Sequence, residues 1–163
     1  MAQFQDKVVI VTGGASGIGR AISLSFAREG ANVLCADVDI AAGAAISQEA
    51  TGLAGKLVFV QADVAQAAEC KALVEKAVAD FGGVDVVCNN VGIQPTSSYL
   101  PAHELPEEAW DRIMAVNVKS RFLMAKYAVP EMKKRGGGAI INTASVQGLQ
   151  SALGVSAYAA SKG

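Results

Sequence analysis

Cysteine, aromatic residues and surplus basic charge are all scarce in this 163-residue sequence. Its three cysteines are widely and irregularly spaced, which indicates reduced thiols rather than a disulfide framework or a metal site. The 14 basic and 15 acidic residues give a net charge of -1, so the sequence lacks the positive surface that binds nucleic acid. No apolar run approaches the roughly 20 residues of a membrane span, and the first residues do not have the pattern of a signal peptide. These absences predict a cytoplasmic protein that has no metal site and no nucleic-acid or membrane partner.

Hydrophobic residues make up 52% of the sequence and charged residues 18%, which is the composition of a close-packed globular protein. The length corresponds to one domain, on a prior of about 150 residues per domain. No linker, repeat or low-complexity segment interrupts it. We therefore expect residues 1–163 to form a single domain.

Predicted strands and helices alternate along the chain. Apolar, β-branched runs predict five strands, over residues 7–12, 32–36, 56–61, 84–88 and 139–143. Apolar residues at helical spacing predict helices over residues 18–29, 40–50, 66–81 and 106–135, and residues 151–163 resemble a loop that enters another helix. Strands that are linked by helices pair in parallel with right-handed crossovers. The sequence therefore predicts an α/β fold with a doubly wound parallel sheet.

A glycine-rich segment, Thr12–Gly19, lies between the first predicted strand and the first predicted helix. Glycines let the backbone turn tightly and approach a diphosphate, and the helix N-terminus offers free N–H groups with a partial positive charge. Glycine runs also form ordinary turns, but the strand–turn–helix context favours a dinucleotide site. The residues expected to bind the cofactor here are Gly13, Ser16, Gly17, Ile18 and Gly19.

Asp37 follows the second predicted strand and indicates which dinucleotide would bind. A carboxylate at this position accepts hydrogen bonds from the adenosine ribose and repels a 2′-phosphate. Neither Ser16 nor the residues after Asp37 are basic, so the pattern favours NAD over NADP. The alternative is a solvent-facing carboxylate at the end of a strand.

Further polar residues follow the third and fourth predicted strands, at the edge where open α/β sheets bind ligands. Cofactor contacts are expected from Asp63, Val64, Asn90 and Gly92. For Asn89 the pattern favours a purely structural role in the loop, and for Asp63 it leaves both roles open.

Tyr158 and Lys162 are four residues apart, so they share one face if the segment is helical. A nearby ammonium favours the phenolate form of a tyrosine, which allows the pair to exchange a proton with a substrate oxygen. The same spacing also occurs often on ordinary helix surfaces. Ser145 follows the fifth strand, where a hydroxyl can bind a carbonyl or alcohol. Asn117 lies within the long predicted helix, and its alternative is a solvent-facing polar residue.

These motifs, in this order and over the whole length, resemble the short-chain dehydrogenase/reductase family. The residues that carry the resemblance are Thr12–Gly19, Asp63, Asn89–Gly92, Asn117, Ser145, Tyr158 and Lys162. The resemblance implies a Rossmann-like sheet with strand order 3-2-1-4-5. It also implies an oxidoreductase that transfers a hydride between NAD(H) and the alcohol or ketone of a small substrate.

The resemblance also implies a role for each catalytic candidate. Tyr158 is the general acid/base, and Lys162 assists it and holds the nicotinamide ribose, so both contact the cofactor. Ser145 orients the substrate oxygen, and Asn117 holds a water in a proton relay. Members of the family are usually homo-oligomers, which implies a dimer or tetramer for the full-length form.

The chain is shorter than the usual members of that family. The resemblance therefore implies that the usual sixth and seventh strands and the substrate loop are absent from residues 1–163, as in a domain truncated at its C-terminus. We expect these residues alone to bind the dinucleotide but to turn over poorly. A non-catalytic dinucleotide-binding or interaction module is the competing interpretation. A nucleotide-sugar epimerase or dehydratase would share the glycine turn and the tyrosine–lysine pair, but the spacing of Ser145 resembles the simple dehydrogenases more.

Overall fold

Five parallel strands form the central sheet of the computed structural model, which describes residues 2–163. The strands are β1 (Val8–Thr12), β2 (Asn32–Asp37), β3 (Lys56–Gln61), β4 (Val86–Asn89) and β5 (Ala139–Asn142). Their order across the sheet is β3-β2-β1-β4-β5, and each pairing is parallel. The predicted fold class and strand order are therefore confirmed.

Six α-helices accompany these strands in the described part of the chain. They are α1 (Gly17–Arg28), α2 (Ile40–Glu49), α3 (Ala67–Phe81), α4 (Glu107–Met114), α5 (Ser120–Lys134) and α6 (Ser156–Lys162). The single helix predicted over residues 106–135 is divided, because a π-helical segment, Ala115–Lys119, joins α4 to α5. No helix within residues 2–163 is both long enough and apolar enough to cross a membrane.

The core lies on both faces of the sheet. β1 is buried along its whole length, and its successive side chains face opposite sides. Val8 and Ile10 belong to the cluster that includes α3 and α5, whereas Val9 and Val11 pack with Ala27 of α1. Each fully buried aliphatic side chain of this size stabilises the fold by roughly 1.5–3 kcal/mol. Burial on both faces explains why this strand is a continuous apolar run.

All three cysteines, Cys35, Cys70 and Cys88, are free and buried. Burial raises the pKa of each thiol to about 11, so at neutral pH they are protonated and weakly nucleophilic. Within residues 2–163, no group of three or more histidine, cysteine or acidic side chains lies close enough to hold a metal ion.

Asp85 anchors the end of the sheet that is opposite the strands' carboxyl ends. β4 begins at Val86, two residues later than predicted. The Asp85 carboxylate accepts hydrogen bonds from the Val8 N–H at 2.8 Å and from Arg135 Nε and Nη2 at 3.1 and 2.9 Å. These contacts connect the beginnings of β1 and β4 to Arg135, the residue that follows α5.

The carboxyl ends of the strands meet along the other edge. The register pairs Thr12 with Asn89 and Asn89 with Asn142, and Asp37 is the last residue of β2. The glycine-rich segment and the loops after β4 and β5 therefore come together here. β5 is an outer strand, and Ile141 in it is 50% exposed.

Candidate active site

A cavity of about 660 Å³ lies at the carboxyl edge of the sheet. Ten of the predicted site residues line it: Gly13, Ser16, Gly17, Ile18, Asp37, Asn90, Gly92, Ser145, Tyr158 and Lys162. The structure thus brings the predicted nucleotide residues and three of the predicted catalytic residues to one space. Gly19, Asp63, Val64 and Asn117 lie around this cavity rather than on its wall.

The glycine-rich turn packs tightly against the loop that follows β4. Gly13 has φ +61°, and a Cβ there would lie 3.0 Å from the Val91 Cα. A Cβ on Gly19 would overlap the Gly13 carbonyl, which accepts a hydrogen bond from Asn90 Nδ2 at 3.2 Å. Side chains at these two positions are excluded by geometry, and their absence lets the turn pack closely against the loop after β4 and the start of α1.

The first turn of α1 is left open by its capping residue. Ser16 has the extended conformation of an N-cap, but its side chain makes no capping hydrogen bond. Gly17 follows with φ +51°, and a Cβ at this position would have no atom of another segment within 4 Å. The N–H groups of this first turn therefore face free space with the positive end of the helix dipole behind them.

Asp37 is held at the edge of the cavity by backbone amides. Its Oδ2 accepts a hydrogen bond from the Ala15 N–H at 3.1 Å and its Oδ1 accepts one from the Asp39 N–H at 3.3 Å. Each carboxylate oxygen can accept further bonds. The carboxylate is therefore positioned beside the glycine-rich turn and keeps acceptor capacity for a ligand.

Asp63 and Val64 line a neighbouring cavity of about 60 Å³, which shares Gly13 and Asp37 with the larger one. Asp63 Oδ1 accepts a bond from the Ala65 N–H at 3.0 Å, and Oδ2 accepts one from Arg112 Nη1 at 3.1 Å. Both roles that the sequence left open for Asp63 are therefore compatible with its position, since it satisfies a loop amide and also faces a cavity.

Tyr158 and Lys162 lie on α6 and share a face, as their spacing predicts. Lys162 Nζ is 5.7 Å from the centre of the Tyr158 ring and donates a hydrogen bond to the Thr143 carbonyl at 3.0 Å. A Cβ on Gly92 would lie 3.1 Å from the same Nζ, so a larger residue at position 92 would crowd the amine. Burial, and then the positive charge of Arg121, lower the pKa of Lys162 to about 8.

Asn117 is fully buried in the π-helical segment, so the solvent-facing alternative is wrong. Its Oδ1 accepts a hydrogen bond from the Ile93 N–H at 2.8 Å, and its Nδ2 donates to the Ile93 carbonyl at 3.0 Å and to Ser161 Oγ at 2.9 Å. The side-chain amide is thus fully used in fixing the loop after β4 against α6. π-Turns within helices often occur at functional sites.

Two other polar residues at this edge have local partners. Ser145 Oγ accepts a hydrogen bond from the Gln147 N–H at 3.3 Å and begins the 3₁₀ turn Val146–Gly148. The hydroxyl proton of Ser145 is thereby left for another acceptor. Asn89 is buried, and its Nδ2 donates to Asn142 Oδ1 at 2.9 Å. This contact is compatible with the structural role that the sequence pattern favours for Asn89.

Comparison with known proteins identifies the family. The family model described as short chain dehydrogenase matches residues 7–163. The chain belongs to the short-chain dehydrogenase family. An oxidoreductase of Thermotoga maritima that is named as uncharacterised is 44% identical over 146 residues, which cover 90% of this chain and 56% of that protein.

Two relatives within the short-chain dehydrogenases have named activities. D-beta-hydroxybutyrate dehydrogenase of Cupriavidus necator is 40% identical over 159 residues, 96% of this chain and 59% of that protein. Cyclohexanol dehydrogenase of an Acinetobacter species is 37% identical over 160 residues, 98% of this chain and 63% of that protein. The chain therefore spans about 60% of the length of the curated relatives that it matches.

Arg112 and Arg121 lie beside the candidate site, and the sequence patterns did not reveal them. Arg112 reaches Asp63 from α4, across 49 residues of sequence. Arg121 contacts the same main-chain carbonyl as Lys162, since its Nη2 donates to the Thr143 carbonyl at 2.8 Å. Arg121 follows Asn117 by four residues, so a common helix face was the available signal, although the π-turn weakens it.

Proposed function

We propose that this chain carries the cofactor-binding and catalytic residues of an NAD(H)-dependent oxidoreductase that interconverts the alcohol and ketone of a small molecule. One observation carries the proposal: Ser145, Tyr158 and Lys162 line the same cavity as the glycine-rich turn and Asp37. Such a cavity places groups that can move a proton beside groups that can hold a dinucleotide.

The residues present fit a nicotinamide dinucleotide. Gly13 and Gly19 allow the tight turn, and Gly17 leaves room for a diphosphate beside the open first turn of α1, with Ser16 and Ile18 supplying N–H groups. Asp37 would accept bonds from the adenosine ribose, and its negative charge disfavours the 2′-phosphate of NADP.

Residues from the next two strands would hold the rest of the cofactor. Asp63 and Val64 border the smaller cavity beside Asp37, and Asn90 and Gly92 border the larger one. Lys162 would contact the second ribose, because its amine reaches the cavity beside Gly92.

When bound, NAD(H) supplies the hydride chemistry. In our proposal Tyr158 is the general acid/base that exchanges a proton with the substrate oxygen, and Ser145 donates a hydrogen bond to that oxygen. The Lys162 ammonium supplies a positive charge beside the tyrosine ring, and this ammonium form prevails below about pH 8. Asn117 would hold a water of the proton relay, and the bonds of its side-chain amide to Ile93 and Ser161 fix this residue in place.

A non-catalytic dinucleotide module receives less support, because binding alone requires neither Ser145 nor Tyr158 in the cavity. We further propose that the full-length protein is a cytoplasmic homo-oligomer, a dimer or tetramer. Free, buried thiols are typical of reducing compartments, which supports the cytoplasmic location. The exposed apolar side chains of Val118, in the π-helical segment, and Phe122, in α5, support a contact between subunits.

The test is Tyr158→Phe in the longest product that the gene encodes. Removing the hydroxyl should lower kcat/KM for NAD-dependent oxidation by at least about 100-fold, the usual contribution of a general acid/base. The substrate panel includes cyclohexanol and D-beta-hydroxybutyrate, and NADH binding is measured by fluorescence titration. NADH affinity should fall by no more than about tenfold, because Tyr158 would supply only one hydrogen bond among the cofactor contacts.

Tyr127→Phe is the matched control, because Tyr127 packs against the core outside the cavity. It should leave turnover unchanged. Equal turnover by the Tyr158→Phe protein, or a wild-type protein that neither binds NADH nor oxidises any alcohol of the panel, would contradict the proposal.

A further inference from the structure

Arg121 is a charged residue that is placed against the candidate catalytic pair without an acidic partner. Its Nη2 donates to the Thr143 carbonyl at 2.8 Å, and its Nε is buried with no hydrogen-bond partner. Among the ion pairs of residues 2–163, none includes Arg121. A partly buried guanidinium that has no acidic partner and leaves its buried Nε without a hydrogen bond costs stability, and such costs are concentrated at functional sites.

The Thr143 carbonyl is shared between this guanidinium and the lysine amine. Lys162 Nζ donates to the same oxygen at 3.0 Å. Two nitrogens that contact one oxygen at such distances lie within about 6 Å of each other, the range over which charges change each other's protonation. The carbonyl compensates part of their repulsion, so it fixes both cations at the end of β5.

We propose that Arg121 is a positioning residue for Lys162, which it orients through the shared Thr143 carbonyl, and that its permanent charge sets the pH range over which the Tyr158–Lys162 pair works. The catalytic part rests on the proposed function; the effect on the lysine does not.

The charges around Lys162 give the direction of this effect. Around Lys162, α6 contributes Tyr158 and α5 contributes Arg121. Thr143, which follows β5, contributes its neutral carbonyl, and Asp37 lies on the cavity wall at the end of β2. Burial is the larger cause of the lowered pKa of Lys162, and the Arg121 charge is the second. Tyr158 in turn favours the charged form of Arg121, whose pKa burial lowers.

Removing the Arg121 charge should therefore raise the pKa of Lys162, but only part of the way to its ordinary value, because the amine stays buried. Because Lys162 shares a face of α6 with Tyr158, the limb of the pH profile for alcohol oxidation that reports Lys162 should move to higher pH with it.

The experiment compares Arg121→Met, Arg121→Lys and Lys133→Met in the longest product of the gene. Carbon-13 and nitrogen-15 labelling of lysine follows the titration of Lys162 by NMR, with its signal assigned from its loss in Lys162→Arg. In Arg121→Met the Lys162 midpoint should rise by about one pH unit, and the kcat/KM profile should move by a similar amount. Arg121→Lys should restore much of the wild-type profile, because it keeps the charge.

Lys133→Met removes the same charge from an exposed position of the same helix. Its distance along α5 is about 18 Å at 1.5 Å per residue, well beyond the screening length of physiological salt. Neither the Lys162 midpoint nor the profile should change in this variant.

An unchanged Lys162 midpoint in Arg121→Met would overturn the inference, and so would a uniform loss of kcat at every pH without a shift. Arg121→Gln, which keeps an N–H donor and lacks the charge, gives the same comparison if the methionine variant does not fold. If the wild-type protein has no dehydrogenase activity, the proposed function fails, while the lysine titration still decides the role of Arg121.

Discussion

In our proposal, the choice between NAD and NADP depends on one side chain, the carboxylate of Asp37. It is bound to the Ala15 and Asp39 amides beside the glycine-rich turn. Asp37→Asn keeps the shape of the side chain but removes the charge. Affinity for NADH should fall by roughly 10- to 100-fold, the worth of a hydrogen bond to a charged acceptor, and affinity for NADPH should rise, because the repulsion of the 2′-phosphate is lost. Isothermal titration calorimetry with both coenzymes measures the two effects.

Asp39→Asn provides the control for this substitution. Asp39 is two residues away and caps α2 through a bond from the Ala42 N–H to Oδ1 at 3.0 Å, which asparagine can retain. It removes an equal charge from the same loop without changing the proposed ribose contact. If both variants shift the coenzyme preference equally, general electrostatics rather than Asp37 would explain the preference.

Among the secondary-structure elements, the junction of β1, β4 and α5 depends on Asp85. Burial alone would raise the pKa of this carboxyl, but hydrogen bonds from Arg135 and the Val8 N–H, with the charges of Arg135 and Lys7, hold the pKa below its usual value. The resulting stability is present above the pKa of the unfolded chain and is lost as the pH falls through the lower pKa of the folded state.

Asp85→Asn should therefore lower the free energy of unfolding by about 2–3 kcal/mol at pH 7, because it replaces charged hydrogen bonds in a buried site. Its stability should also change less than that of the wild type between pH 5 and acid. Urea denaturation across this range measures both effects. Asp80→Asn, which loses only the exposed i,i+4 pair with Lys76, should cost less than about 0.5 kcal/mol. Equal losses in the two variants would remove the special role of Asp85.

Local patterns were sufficient for most of the elements. The buried run of β1 and the glycine after α3, which has φ +82° at Gly82, are properties of neighbouring residues, so the sequence alone predicted them. The π-turn at Asn117 was not predictable in this way, because the apolar spacing continues through it. Asn117 within it bonds to Ile93, 24 residues away, and periodicity does not contain such a contact.

The residues of the candidate site also fall into two groups, those that local patterns predict and those that only the fold reveals. The glycine turn, Asp37 and the Tyr158–Lys162 pair could be predicted because each is a short motif in a definite strand or helix context. Arg112 and Arg121 could not, because a lone arginine on a helix has no signature until the fold shows which carbonyl or carboxylate it reaches.

At the scale of the whole molecule, β5 is one of the two edge strands of the sheet. It pairs only with β4 among the described strands, and Ile141 is half exposed. Unpaired apolar edges promote association, so a polypeptide of residues 1–163 should self-associate at high concentration, and Ile141→Lys should reduce this. Sedimentation velocity over a concentration series measures the change. Ile40→Lys, at an equally exposed position on α2, should not reduce it, and equal reduction by both variants would exclude the β5 edge as the cause.

The side chain of Asn117 binds the N–H and the carbonyl of Ile93 much as a neighbouring strand would, and it also holds Ser161 on α6. These contacts join segments that are 24 and 44 residues apart, so closing them costs chain entropy that local helices and turns do not. The same contacts couple the loop after β4 to α6, so the Ile93 amide and α6 should exchange with solvent deuterium together, through an opening smaller than global unfolding, while β1 stays protected. A ligand that spans the cavity would suppress this opening, so its binding would be recorded as slower deuterium exchange at the Ile93 amide and along α6.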